Sequence, residues 1–247
     1  MRQILIINPN TSASVTALLL SHGQKVAGAD VNVQAVTARL GAPYIACEAS
    51  YSVAGHAVLD AWANVLTTKT NNTPAPDAVL IGCFGDPGLL ALRDVSGVPV
   101  TGLAEAAFVE AARYGRFAIV TGGQRWKPML ERLADTLGYG DALGGVVTVE
   151  PTGAQLAQDP LAACALLADA CKRAIDLFDV RAVILGGAGL AGLAAQIQPQ
   201  VAVPVIDSVL AGVRHAIVLA EKADTSAQRS TQTTGRLDEI SSWLLKA

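Results

Sequence analysis

Short apolar or β-branched runs at residues 3–7, 31–36, 78–82, 98–101, 117–120, 145–149, 181–185 and 203–206 punctuate the chain. Between them lie longer stretches in which apolar residues recur at helical spacing, at 12–27, 52–69, 104–113, 125–137, 160–178 and 209–222. Strand runs with no polar alternation are buried on both faces, which predicts mainly parallel sheets covered by helices. The pattern is that of an α/β protein.

An internal repeat refines this. LIGCFGDPGL (80–89) is answered by ILGGAGLAGL (184–193), VPVTGLAEAA (98–107) by VPVIDSVLAG (203–212), and ILIINPNT (4–11) by FAIVTGGQ (117–124). Two halves on one ground plan predict two similar, doubly wound parallel-sheet lobes, the first of residues 1–100 plus 207–247 and the second of residues 101–206. Such lobes meet across a cleft built from strand C-terminal ends, where α/β sheets place their ligands. Cys83 and Gly187, equivalent in the repeat, are expected to face each other there. The polar stretch 221–236 predicts a mobile loop before a last short helix around LDEISSWLLK.

Composition narrows the function classes. With 51% hydrophobic and 16% charged residues the 247-residue chain buries a large core. A net charge of -3 and the lack of a Lys/Arg cluster argue against nucleic acid, whose backbone demands a concentrated positive surface. No run approaches the ~20 apolar residues of a membrane span, and the N-terminal apolar run is too short for a signal peptide, so a cytoplasmic location is expected. Four cysteines at 47, 83, 164 and 171 form no disulfide scaffold, and no spacing suggests zinc or another metal. The apolar, Ala-rich composition is compatible with a homo-oligomer without demanding one.

INPNTS (7–12), GCFGDPG (82–88) and ILGGAG (184–189) together resemble the aspartate/glutamate/hydantoin racemase superfamily, most closely its hydantoin and allantoin racemase branch, over nearly the whole chain. The resemblance implies two lobes related by a pseudo-twofold axis, no cofactor, a small-molecule substrate, and one cysteine per lobe flanking the substrate's stereocentre. Cys83 matches the first cysteine; Gly187 stands where the second is expected. The matching Pro-Asn-Thr turn lines the family's substrate pocket, which nominates Asn10 for a ligand contact.

Proton abstraction beside a carbonyl needs a base in contact and donors for the developing enolate oxygen. Cys83 is the candidate acid/base, its thiol lowered toward neutrality if a helix begins directly after it. Backbone N–H groups of Phe84, Gly85, Ala188 and Gly189, and the Thr121-Gly122-Gly123 turn, are the candidate donors. Without a second thiol three outcomes stay open: a racemase in which water or another side chain replaces the acid, a one-thiol decarboxylase of the arylmalonate type, or a homologue that binds without turnover. Plainer readings attach to the rest. Cys164 and Cys171 share an apolar helix face, Cys47 packs, Asp86 organises its Pro-Gly turn, Ser12 and its neighbours cap a helix, and His22, His56 and His215 are structural. Finally, Gly187 to Gly192 spells G-x-G-x-x-G after a strand, with Asp207 beyond it, the spacing of a dinucleotide site. Too little chain follows to complete such a domain.

Overall fold

The computed structural model of the chain describes residues 1–68, 74–150, 155 and 159–226. The first half runs β1 (Arg2–Asn8), α1 (Ala13–Val26), β2 (Val31–Thr37), α2 (Glu48–Thr68), β3 (Ala78–Ile81), α3 (Leu89–Val95), β4 (Val100–Gly102) and α4 (Leu103–Ala111). The second runs β5 (Phe117–Gly122), α5 (Trp126–Thr136), β6 (Leu143–Val149), α6 (Pro160–Phe178), β7 (Ala182–Gly186), α7 (Leu193–Ile197), β8 (Val205–Asp207) and α8 (Ser208–Ser226). The strands form two four-stranded sheets of orders β2-β1-β3-β4 and β6-β5-β7-β8, and every pairing is parallel. The two orders are the same order, as the internal repeat requires.

The strands are apolar throughout because both faces of each sheet are covered. Side chains alternate across a strand, so Ile4, Ile6 and Leu80 join Phe117, Ile119 and Ile184 in one inner core shared by the two sheets. Their neighbours Leu5, Ile7, Val79 and Ile81 pack outward with α2 and α3. Ala118, Val120, Val183 and Leu185 do the same with α6 and α7. Two helices cross over. α4 follows β4 of the first sheet yet packs on β7, β8 and α8, while α8 follows β8 of the second sheet and packs on α1, β3 and β4. An aromatic series runs through the shared core, with Phe84 edge-on to Phe108 and Phe108 stacked on Phe117 at 5.5 Å.

The structure corrects some boundaries. Residues 221–226 continue α8 as helix rather than opening a loop; the remainder of that stretch and the predicted last helix lie outside the described residues. Helices α3 and α7 carry too few turns to leave a periodic signature between their flanking glycines. No helix among the described residues is long and apolar enough to cross a membrane.

Because the inner core is common to both sheets, the lobes are expected to unfold together. Phe108 is fully buried at its centre, so Phe108→Ala should cost about 3–5 kcal/mol and leave one cooperative transition in urea, followed by far-UV circular dichroism. Two resolved transitions would contradict the shared core.

Candidate active site

Strand β1 breaks at Asn8-Pro9 into a turn held by its own amides. Buried Asn8 donates from Nδ2 to Asn10 Oδ1, the Ser12 carbonyl and the Thr16 hydroxyl, each at 3.0 Å. Ser12 in turn caps α1 by accepting the Val15 N–H. Asn10 Oδ1 also accepts the Ser12 N–H at 2.9 Å. That N–H can only donate, so it identifies the oxygen of Asn10. The Nδ2 group of Asn10 is left for the cavity that this residue lines.

Strand β3 is followed by Gly82 and Cys83, and a tight turn comes next instead of a helix. Cys83 accepts the Asp86 N–H, Asp86 accepts the Leu89 N–H at 3.1 Å, and α3 begins at Leu89. The helix that would have lowered the thiol therefore starts too late. Burial pushes the Cys83 thiol up, and the neighbouring Asp86 charge pushes it further, so the group rests protonated. Tyr51 closes the turn by donating to the Gly85 carbonyl at 2.7 Å, and burial pushes its phenol up to about 12.

In the second lobe Thr121, at the end of β5, donates its hydroxyl to the Gly186 carbonyl at 2.8 Å and so ties β5 to β7. Gly187 follows with φ 143°, and its N–H donates to Ser208 Oγ at 3.2 Å. Residues Ala188 to Leu190 make a single 3-10 turn. Asp207 accepts the Gly192, Val209 and Leu210 N–H groups. A five-residue helix, a four-stranded sheet and a carboxylate engaged by backbone do not make the strand–turn–helix of a dinucleotide fold, despite the glycine spacing.

These pieces enclose a cavity of about 460 Å³ at the strand C-terminal ends of both lobes. Its wall brings together Asn10, Cys83, Phe84, Thr121, Gly122 and Gly187 to Gly189 from widely separated parts of the chain. Gly85 and Gly123 are not on that wall. Gly85 sits beneath the Trp126 indole, and the Gly123 N–H is taken by the Val149 carbonyl. Residues that pattern reading did not nominate supply the apolar side: Val15 and Leu18 from α1, Ile45 from the loop before α2, and Trp126 from α5. No periodicity marks them as lining, because each also looks like an ordinary core position. Among the described residues no Asp, Glu, Lys, Arg or His lines the cavity, and none form a group able to hold a metal ion.

The remaining cysteines lie elsewhere. Cys171 is buried in the outer core of the second sheet and Cys164 packs beside it. Cys47 precedes α2, where the Ser50 hydroxyl pulls its thiol down.

A family model described as Asp/Glu/hydantoin racemase matches residues 4–216. A hydantoin racemase from Pseudomonas sp. (strain NS671) is 30% identical over 93% of this chain and 90% of its own length. An allantoin racemase from Klebsiella pneumoniae superposes with a TM-score of 0.82 at 30% identity, covering 96% of this chain and 93% of that one. A liganded double mutant of arylmalonate decarboxylase, at 20% identity and a TM-score of 0.65 over 89% of this chain and 93% of that one, shares the fold alone. The match of the family model over most of the chain, with two parallel sheets meeting at a shared cavity, makes this protein a member of the Asp/Glu/hydantoin racemase family.

Proposed function

We propose that the cavity carries out cofactor-independent proton transfer at a carbon next to a carbonyl, with Cys83 as the group that moves the proton. The observation that supports this reading is the position of Cys83 on the wall of a two-lobe cavity that also holds the backbone of Gly187 to Gly189. A thiolate there would take the α-proton and return it, while wall N–H groups and Asn10 Nδ2 meet the enolate oxygen.

The lining also bears on the substrate. A free amino acid or dicarboxylate would enter with its charge stripped of water and no side-chain cation to replace it, at a cost of several kcal/mol. A neutral cyclic ureide asks only for hydrogen bonds. The hydantoin racemase and allantoin racemase relatives fit that class. Val15, Leu18, Ile45, Phe84 and Trp126 favour an apolar ring substituent over a polar ureido group, because apolar contact there costs no unpaired hydrogen bonds. Proton exchange in deuterium oxide should therefore run at least ~10-fold faster on a 5-benzylhydantoin than on allantoin.

Gly187 supports a second reading, decarboxylation at one thiol, whose malonate substrate would bear the same desolvation cost. In it a malonate carboxylate leaves as carbon dioxide on the open face, its electron pair passes to the α-carbon, and Cys83 protonates the enolate. The pH dependence separates the two. A thiol raised above its usual range is thiolate only in a small fraction at neutral pH. Abstraction needs the thiolate, so its rate should climb at least ~10-fold between pH 6 and 8.5. Protonation of an enolate needs the thiol, so decarboxylation should be flat over the same interval.

Cys83→Ser should lower α-deuterium exchange by about 10²–10⁴-fold, the usual worth of a positioned proton-transfer group. Unchanged exchange, read by proton NMR, would remove Cys83 from the chemistry. Gly187→Cys should add the opposing acid and raise inversion relative to retention. A β-carbon at 187 meets nothing nearer than Leu190 at 3.5 Å, yet the φ of 143° is costly for any L side chain, so stability should fall by about 1–3 kcal/mol.

A further inference from the structure

Asp86 is engaged by more of the molecule than its turn requires. It is 1% exposed and adopts φ 54°, one of two described non-glycine residues with positive φ. Its carboxylate oxygens leave their own loop and accept the Ala104 and Glu105 N–H groups at 2.9 and 2.7 Å, in the first turn of α4. Gly102 makes room for this, because a β-carbon there would collide with the Asp86 carboxylate. The backbone of the same residue bonds to Cys83 on one side and Leu89 on the other. Since α4 packs on β7 and β8, Asp86 connects the turn that carries the thiol to the opposite lobe. Asp86 does not line the substrate cavity. It opens instead onto a separate hollow of about 210 Å³ between α3 and α5, beside Tyr51, Met129 and Arg132.

We propose that Asp86 is a positioning residue for Cys83, its carboxylate seating the thiol-bearing turn on the first turn of α4 and setting the charge that the thiol meets. Burial raises the Asp86 carboxyl to about 7 against the pull of the Ala104, Glu105 and Gly85 N–H groups. The charged and titratable groups facing it are Cys83, Tyr51 and Glu105, with Arg132 of α5 across the hollow. An ionised Asp86 therefore opposes thiolate formation and holds Cys83 as a proton donor at rest. This role rests on Cys83 as the proton-transfer group for its consequence in turnover, but not for its effect on the thiol.

The test is alkylation of the folded protein by iodoacetamide between pH 6 and 10.5, with the Cys83 peptide followed by mass spectrometry apart from the more exposed Cys47. In the wild type the midpoint for Cys83 should lie above that of a free cysteine; at or below it, the proposal is overturned. In Asp86→Asn the midpoint should fall by one unit or more. A loosened turn alone would speed alkylation at every pH without moving the midpoint, and that outcome would also overturn it. On a hydantoin substrate Asp86→Asn should lower kcat per thiolate, that is kcat divided by the thiolate fraction its own alkylation midpoint gives, at least tenfold with KM changed less than threefold, since the side chain is off the substrate wall. Gly102→Ala, which expels the carboxylate from its seat, should reproduce the loss of kcat per thiolate. If both variants fold and keep the wild-type kcat per thiolate, Asp86 has no positioning role. If instead Cys83→Ser retains exchange while the Asp86→Asn midpoint falls, the functional reading fails and the positioning of the thiol stands.

Thermal unfolding supplies a second measure. A carboxyl whose folded value is raised contributes stability that is complete below its unfolded value of 3.8 and is lost as pH rises through about 7. The wild-type melting temperature should therefore decline relative to Asp86→Asn between pH 5 and 8. Parallel curves would mean that Asp86 is not held against its ionisation.

Discussion

The Phe84 ring occupies the place where a β-carbon of Gly186 would be. One lobe thus closes against the other through a ring lying on bare backbone, and the rest of the site follows from that contact. Phe84 is the residue after Cys83 and Gly186 the residue before Gly187, so the contact that joins the lobes also brings residues 83 and 187 to the same cavity. Burying a phenylalanine is worth about 1.5–3 kcal/mol, and this ring is further braced edge-on by Phe108. Any side chain at 186 would wedge the lobes apart before it touched a substrate. The Thr121 hydroxyl bond to the Gly186 carbonyl holds the receiving strand in place.

The lobes repeat a ground plan without repeating its parts. In the repeat Gly102 aligns with Asp207 and Asp86 with Leu190. In the second lobe Asp207 stands at the start of its own helix, caps it through Val209 and Leu210, and holds the loop after β7 through Gly192. In the first lobe the carboxylate comes from the loop instead, and the glycine at the helix start leaves space for it. Both lobes place a carboxylate where loop and crossing helix meet, because that helix opens with N–H groups that have no partner within it. What differs is the loop that carries the acid. In the first lobe it is the turn bearing Cys83, and only there does the charge bear directly on a thiol.

Much of this architecture was legible in the chain. Apolar runs such as ILII at 4–7 and AVIL at 182–185 marked strands covered on both faces, and the paired segments around 83 and 187 marked two lobes. The long helices declared themselves by period, whereas α3 and α7 are too short to do so. Half of the cavity was legible for a similar reason: glycines, Asn10 and Cys83 stand out at strand ends. The apolar half was not, since Leu18 or Ile45 differs from a core residue only through its three-dimensional neighbours. The thiol's acidity was misread for a physical reason. Whether a cysteine after a strand is lowered by a helix or raised by burial depends on where the next helix starts, and here five residues, Phe84 to Gly88, intervene. Desolvation is a property of the folded packing, and no local motif encodes it.

The asymmetry at 187 is one of backbone as well as side chain. Gly187 takes φ 143° and turns its N–H to Ser208, a geometry closed to most residues, whereas Cys83 stays out of the positive-φ region. The face opposite the thiol has therefore settled into a conformation suited to glycine, with room beside Leu190 that a side chain does not fill. Under the proposed chemistry only one face of a bound carbon meets sulfur, and a proton reaching the other face must come from water, from a hydroxyl of the wall or from the substrate itself. The two enantiomers of a substrate are then not equivalent to this protein: the one whose hydrogen points at Cys83 meets its base directly, and the other presents its hydrogen to backbone. Under that chemistry a single glycine gives the site a preferred hand.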